Sequence, residues 1–305
     1  MKSIFKRNAA ANRMGGRPPA AVEISPEGVL AAASPRAGEA HVYAFVPLPS
    51  GVLTPNIEGA NLLAPEVVAT AIRTALNEVS PRMRAVTLVL PDTLVRVFML
   101  DFDSLPAKAA DALSVVRFRL RKMVPFDVEH AGVSYQILSQ SETECKILAA
   151  VAPGPVLAEY EDAVRAAGYE PGAALPSSLA ALEAAGEMEA VMAANLSSLA
   201  ITTAIVNGQD LLLYRTLDLP QDPQQRLHEI ERSIAVACAY YEDKLGSRPR
   251  RLHYAGVVPS PEFAGSVGDP ELSVVDWVPR PTSGAITTLP QISYAGVAGA
   301  LAGAR

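Results

Sequence analysis

The run Met192-Ala193-Ala194-Asn195-Leu196-Ser197-Ser198-Leu199-Ala200-Ile201-Thr202-Thr203-Ala204-Ile205-Val206 decides how the chain folds, together with Asn207-Gly208 and the return through Leu211-Leu212-Leu213-Tyr214. Its aliphatic and β-branched residues read as strand. Asn-Gly between two such runs is a strong hairpin signal, because glycine accepts positive φ without a steric penalty. A helix then runs from Asp222 to Leu245, with Asp222 as cap, Pro223 in the first turn, Gln225 at the capping-box position and Gly246 as the stop. Leu227, Ile230, Ile234, Cys238, Tyr241 and Leu245 recur at helical spacing and predict its buried stripe. Arg251-Leu252-His253-Tyr254 is the next strand.

The same order occurs earlier in the chain. Ala21-Val22-Glu23-Ile24-Ser25 is strand-like, Pro26-Glu27-Gly28 turns into Val29-Leu30-Ala31-Ala32-Ala33, and His41 to Val46 gives a third strand. A helix from Pro65 to about Val79 presents Val68, Ile72, Ala75, Leu76 and Val79 on one face, and Ala85 to Leu90 is a buried strand. Val22-Glu23-Ile24-Ser25 answers Ala194-Asn195-Leu196-Ser197 at an offset of roughly 170 residues, which the later strands nearly repeat. A duplicated strand-strand-strand-helix-strand unit predicts an α/β protein of two lobes facing each other across a cleft. Between the halves, Leu94 to Leu100, a helix from Pro106 to about Met123, Val133 to Leu138 and Lys146 to Val151 predict a small strand-helix-strand-strand subdomain over residues 92–152. The expected organisation is a mobile tail over 1–17, a first lobe over 18–170 containing that insertion, and a second lobe over 171–305 ending in a helix at 291–303.

Composition narrows the function classes. Half of the 305 residues are hydrophobic, enough for a large core, and 19% are charged, too few for a disordered chain. A formal net charge of −6 argues against a nucleic-acid backbone as partner. Cys145 and Cys238 are far apart and read as buried thiols of a reducing compartment. Basic residues at the start lead into no apolar run of signal length, and Ala295 to Ala304 is about half of what a bilayer requires. The expectation is a cytoplasmic protein without direct membrane insertion.

Catalytic motifs are sparse. There is no G-x-S-x-G elbow, and Ser177-Ser178 after Pro176 reads as a helix cap. His41, His130, His228 and His253 lack metal-ligand spacing, apart from His228 and Glu231 on one helix face, so no metal site is expected. Asp101 and Asp103 read as acids at a helix start rather than as an acid/base pair. Within the basic run Arg117, Arg119, Arg121 and Lys122, Arg117 and Arg121 share a helix face. That face is either solvated or a positively charged wall for a partner.

Several stretches together resemble PilM, the cytoplasmic actin-like family of type IV pilus assembly. Val89-Leu90-Pro91-Asp92 with Val95-Arg96-Val97 is similar to the family's entry into its inserted subdomain. Val116-Arg117-Phe118, Met123-Val124-Pro125-Phe126 and Val133-Ser134-Tyr135-Gln136-Ile137-Leu138 are similar to its helix, turn and strand. Asn207-Gly208, Tyr214-Arg215, Glu229 to Ile234, Tyr240-Tyr241 and Gly296 to Leu301 continue the match in order. The resemblance implies an actin-like fold of two RNase H-like lobes with an inserted α+β subdomain. The second lobe would be reduced, because only a few residues separate Leu219 from the helix at Asp222. It also implies, as partners, the N-terminal tail of a PilN-like inner-membrane protein and other pilus assembly proteins, with Arg117, Arg121, Phe126 and Tyr135 as the candidate contacts. Actin-like ATPases carry Asp-x-Gly motifs on the first hairpin of each lobe, the glycine for phosphate and the acid for hydrated magnesium. Here those positions read Glu23-Ile24-Ser25 and Asn195-Leu196-Ser197, and the base-binding glycine pair survives only as Gly256. The expectation is a vestigial site for ATP and magnesium at Glu23, Ser25, Asn195, Ser197 and Gly256, no working cofactor and no hydrolysis. The alternatives are an active actin-like ATPase, or a type II secretion scaffold of the GspL kind.

Overall fold

Strands β1 (Ala20–Ser25), β2 (Gly28–Ala33) and β3 (Val42–Pro47) form an antiparallel meander, and β4 (Ala85–Leu90) joins β1 in parallel after helix α1 (Pro65–Val79). The computed structural model describes residues 17–34, 40–80, 82, 84–185, 190–278 and 292–302. A fifth strand, β8 (Glu170–Pro176), adds in parallel to β4, giving the order β3-β2-β1-β4-β8. Alternation along the strands divides their side chains between two buried faces. Val22, Ile24, Leu88 and Leu90 meet Val68, Ile72 and Leu76 of α1 and Tyr160 and Val164 of α3 (Gly154–Ala166). On the other face Ala21, Leu30 and Val89 meet Val297, Ala300 and Leu301 of the last helix.

The second unit repeats this plan. β9 (Val191–Leu196), β10 (Ala200–Asn207) and β11 (Asp210–Asp218) form the meander, and β12 (Arg251–Gly256) runs parallel to β9. β13 (Ser273–Asp276) follows helix α6 (Ser260–Val267) and completes the order β11-β10-β9-β12-β13. The β10–β11 hairpin closes at Asn207 and Asp210 around Gly208, whose φ is +59°. Only Leu219 to Asp222 separate β11 from α5 (Pro223–Leu245). Asp222 caps that helix by accepting from the N–H groups of Gln224 and Gln225 at 3.1 and 2.9 Å, and Gly246 ends it at φ +70°. Ile230 and Ile234 of the expected stripe are buried, but Leu227 is 42% exposed.

The chain leaves the first unit after β4 through a single 3-10 turn, Asp92–Leu94. It then forms β5 (Arg96–Phe102), α2 (Ala109–Leu120), β6 (Gly132–Gln140) and β7 (Cys145–Ala152), a separate antiparallel sheet in the order β5-β7-β6. Val116 and Leu120 of α2 cover one face against Leu100, Ile147, Ala149 and Val151. The opposite face, with Leu148 and Ala150, joins the main core.

Four boundaries differ from the sequence reading. The cut at residue 170 falls at the start of β8, which belongs to the first sheet, so the first lobe runs on through β8 and α4 (Ser177–Leu182). The terminal helix expected at 291–303 is α7 (Ala295–Ala302), with residues 291 and 303 outside the described residues. It packs on the first lobe rather than the second, because its apolar side completes the uncovered face of that sheet. Of the tail, residues 1–16 lie outside the described residues, whereas Arg17 is buried and paired with Glu183 at 2.8 Å. The helix read from Pro106 begins at Ala109, and Asp101 lies on β5, 3.8 Å from Lys146, not at a helix start.

Candidate functional site

β1 and β9 end at the same cleft, each followed by a tight turn. In the first, Ser25 Oγ donates to Gly28 O at 3.2 Å, and Pro26 contributes no N–H. In the second, Ser197 Oγ accepts from the N–H groups of Leu199 and Ala200 at 3.2 and 2.9 Å and donates to Ala200 O. Ser197 therefore occupies two of the turn N–H groups that an anion would otherwise meet, while Ser25 ties up a turn carbonyl.

Between the turns, the lobes are joined by side chains. Asp92, at the end of the LPD run, is 7% exposed. Its Oδ1 accepts from Ser178 N at 2.9 Å, and its Oδ2 accepts from Ser178 Oγ and, at 3.3 Å, from Thr202 Oγ1 of β10. Asn195 of β9 donates from Nδ2 to Ser178 Oγ at 3.0 Å and to Ser177 Oγ at 3.4 Å. Thr202 and Asn195 belong to one lobe and Asp92, Ser177 and Ser178 to the other, so this network crosses the cleft. Burial raises the Asp92 carboxyl above its ordinary value against the pull of the Ser178 and Thr202 hydrogen bonds. Glu23 is pushed up to about 8, first by burial and then by Asp92 and Glu27, with a hydrogen bond to Ser177 opposing.

The remaining space is a cavity of about 50 Å³ lined by Glu23, Ser25, Glu27, Asp92, Ser177, Asn195 and Ser197 among others. That is room for a few waters, against roughly 300–1,000 Å³ in pockets that hold drug-sized ligands. Among the described residues no Lys, Arg or His lines it. Mg-ATP, which the fold class implies, does not fit these residues. Among the described residues there is no cation for the phosphates, Ser197 takes the N–H groups of Leu199 and Ala200, and three carboxyls stand where negative charge would enter. Among the described residues no group of three or more His, Cys, Asp or Glu is placed to hold a metal.

Gly256 stands apart from the other four expected residues. It lines a second cavity of about 20 Å³ with Tyr254, Asp276 and Tyr294. A Cβ at Gly256 would lie 2.2 Å from the Tyr254 hydroxyl, which donates to Val258 O at 3.1 Å. The Tyr254 ring stacks on Phe263 at 4.0 Å, so side chains of this lobe fill the space beside Gly256.

No family model matches the chain, and no curated protein does. Solved structures do. A PilM-PilN type IV pilus biogenesis complex matches with a TM-score of 0.68 at 18% identity, over 85% of this chain and 88% of that one. The cytoplasmic domain of EpsL, an inner-membrane component of the type II secretion system of Vibrio cholerae, matches at 0.51 and 14% identity over 92% of each. A Bacteroides thetaiotaomicron protein described as having an actin-like ATPase fold and unknown function matches at 0.51 and 11%, over 84% of this chain and 90% of that one.

The fold is actin-like.

Within this actin-like frame, β5–β7 and α2 form the inserted subdomain, and the interlobe cavity lies where the two lobes' first hairpins meet. The network around Asp92 was missed in sequence because Ser177 and Ser178 read as a cap. In the structure Pro176 stands at the cap position and Asp92 takes the Ser178 N–H from outside the helix, and both serines serve the cleft instead. The LPD run was the available signal for Asp92.

The four residues expected to meet a partner are mostly engaged within the subdomain. Arg117 is partly buried, and its Nη1 donates to the carbonyls of Val128 and, at 3.1 Å, Ala131, so it braces the loop before β6. Arg121 is exposed and pairs with Glu129. Phe126 and Tyr135 pack against the core under α2. The exposed apolar side chains of this subdomain are Phe118, Ile137, Met123 and Val115, with Phe118 67% exposed. β6 is an edge strand, paired only with β7 among the described residues.

Proposed function

We propose that this protein is a scaffold of the type IV pilus assembly kind, which holds the cytoplasmic N-terminal tail of a PilN-like inner-membrane protein and does not hydrolyse ATP. The observation that carries the second half is the cleft. Where an actin-like ATPase would place phosphates and magnesium, this chain has Asp92, Ser178, Asn195 and Thr202 bonded to one another across the lobes. What remains for function is a rigid two-lobed frame with an added subdomain. The solved pilus complex, described as joining PilM with PilN, supports a tail of that kind as the ligand. The unpaired edge of β6, beside the exposed Ile137, suits an extended segment that adds main-chain hydrogen bonds and apolar contacts. Among the described residues no helix is long and apolar enough to cross a membrane, so a partner's tail would supply attachment to the inner membrane.

The test is titration of the full chain into a labelled N-terminal peptide of a PilN-like protein, followed by fluorescence anisotropy. A disordered tail pays ordering entropy, so a micromolar Kd is expected. Ile137→Lys should weaken it about tenfold without changing the fold, and Arg117→Glu should act mainly by destabilising the loop at 128–131. A Mg-ATP phosphate-release assay should show no turnover above that of Asp92→Asn. Absence of tail binding removes the first half of the reading, and turnover that depends on Asp92 removes the second. EpsL's match over 92% of both chains gives a type II secretion scaffold as the second reading, tested by substituting a secretion-system tail in the same titration.

A further inference from the structure

We propose that the interlobe cavity binds a small ammonium cation, the head group of a simple primary amine. The argument begins with proton positions. The Ser178 hydroxyl gives its proton to Asp92, and the Ser177 hydroxyl is the donor in its bond to Glu23. Both serine oxygens therefore accept from Asn195 Nδ2, which fixes the amide's orientation and leaves Asn195 Oδ1 as an acceptor. Asn195 is 5% exposed, and its Oδ1 has no partner among the described residues. Glu23 Oε2, Thr93 Oγ1, Ser198 Oγ and Ser293 Oγ are likewise buried without partners among the described residues. All five residues line the same 50 Å³ cavity.

Buried polar atoms in native folds are nearly always bonded, so five orphans on one cavity call for a polar occupant. Burial holds the Glu23 carboxyl protonated up to about 8, so an entering cation ionises it and binds better as pH rises toward that value; with Glu23 ionised, Glu23 Oε2 and Asn195 Oδ1 can only accept. Among the described residues the cavity walls carry Glu23, Glu27 and Asp92 and no basic side chain, which disfavours phosphate and carboxylate ligands and favours a cation. A primary ammonium carries three N–H donors and no acceptor on one compact atom, and so matches several convergent oxygens. A divalent metal matches less well. Both oxygens of Asp92 are already taken by Ser178 and Thr202, and among the described residues no three of His, Cys, Asp or Glu are placed to hold a metal. This site is independent of the tail-binding reading, since it lies in the cleft and not on the inserted subdomain.

The test is thermal unfolding of the full chain with methylammonium chloride, tetramethylammonium chloride or magnesium chloride at matched ionic strength. A ligand of two heavy atoms binds at roughly millimolar levels or weaker. Methylammonium should raise Tm saturably, whereas tetramethylammonium, with the same charge and no N–H, should not. Glu23→Gln, which keeps the side chain's shape, should abolish the methylammonium response. Saturation-transfer NMR on the methylammonium methyl group gives a second readout on the wild-type chain, with the signal displaced by ammonium chloride and not by tetramethylammonium. Equal responses to both organic cations would reduce the effect to ionic strength. A response to magnesium alone would make the site a metal centre, and no response to any would leave water as the occupant. Each of these outcomes overturns the proposal, as does an unchanged response in Glu23→Gln.

Discussion

Glu23 occupies a position on β1 where burial, Asp92 and Glu27 all oppose ionisation, and together they raise its carboxyl from 4.5 to about 8. The consequence for stability has a definite sign. Below the unfolded-state value the group is protonated in both states and carries no penalty. Between about 4.5 and about 8 the unfolded chain ionises and the folded one does not, so this residue's contribution to stability falls as pH rises. Each pH unit in that window costs at most about 1.4 kcal/mol. Glu23→Gln should remove this slope, so that urea melts at pH 5 and pH 8 differ less in the variant than in the wild type. A variant with the wild-type slope would mean that Glu23 is ionised in the folded protein. Asp92 acts differently, because its oxygens satisfy Ser178 N, Ser178 Oγ and Thr202 Oγ1 at once. Asp92→Ala would strand those donors and should destabilise the protein by about 2–4 kcal/mol in denaturant unfolding. Thr202→Val removes one donor at 3.3 Å that also pairs with Thr216, and should cost about 1 kcal/mol.

At the scale of elements, α7 and α4 show how small residues bring a helix to the cleft. A Cβ on Gly299 would lie 1.9 Å from Ala180 O, and one on Gly296 would lie 2.6 Å from Ser177 Oγ. Only glycine permits these approaches, so α7 sits directly over α4 and behind Glu23. Gly299→Leu should force the helices apart and expose Val297 and Leu301, with a loss of about 2 kcal/mol or more and faster hydrogen exchange in both helices. Unchanged exchange in α4 would show that the packing does not depend on that contact. The inserted subdomain carries its own small core beneath α2, and Arg117 ties the following loop to the helix. Its sequence looked like a basic partner face because charge spacing reveals which residues share a helix side. Spacing does not reveal which of them the next loop will claim.

For the whole molecule, the two lobes are joined at positions of very different depth. Arg96 of the inserted strand reaches Asp218 of β11 at 3.0 Å, but the Asp218 side chain is 56% exposed. Such a pair is screened by solvent, so Asp218→Ala should shift Tm very little, in contrast to Asp92→Ala. Comparable losses from both would mean that the outer pair, not the buried network, holds the lobes in register. With the cleft bridged in this way, the actin-like frame is held closed by its own side chains.

The duplicated unit, the long α5 with its Asp222 cap and Gly246 stop, and the strand-helix-strand-strand insertion were all legible in sequence. They rest on local rules: side-chain periodicity of two or 3.6, cap chemistry, and glycine at positive φ. That Ser25 and Ser197 stand at the turns after β1 and β9 was legible too, because it required only a position on a hairpin. What the tertiary structure decided was everything that depends on residues distant in the chain. β8 joins the first sheet because its pairing partner is β4, and α7 crosses back because the first sheet had an uncovered apolar face. Asp92 meets Ser178 and Thr202 across 86 and 110 residues of chain, a contact no local pattern encodes. Glu23 acquires its raised carboxyl value for the same reason, since burial belongs to the assembled cleft and not to the strand that carries it.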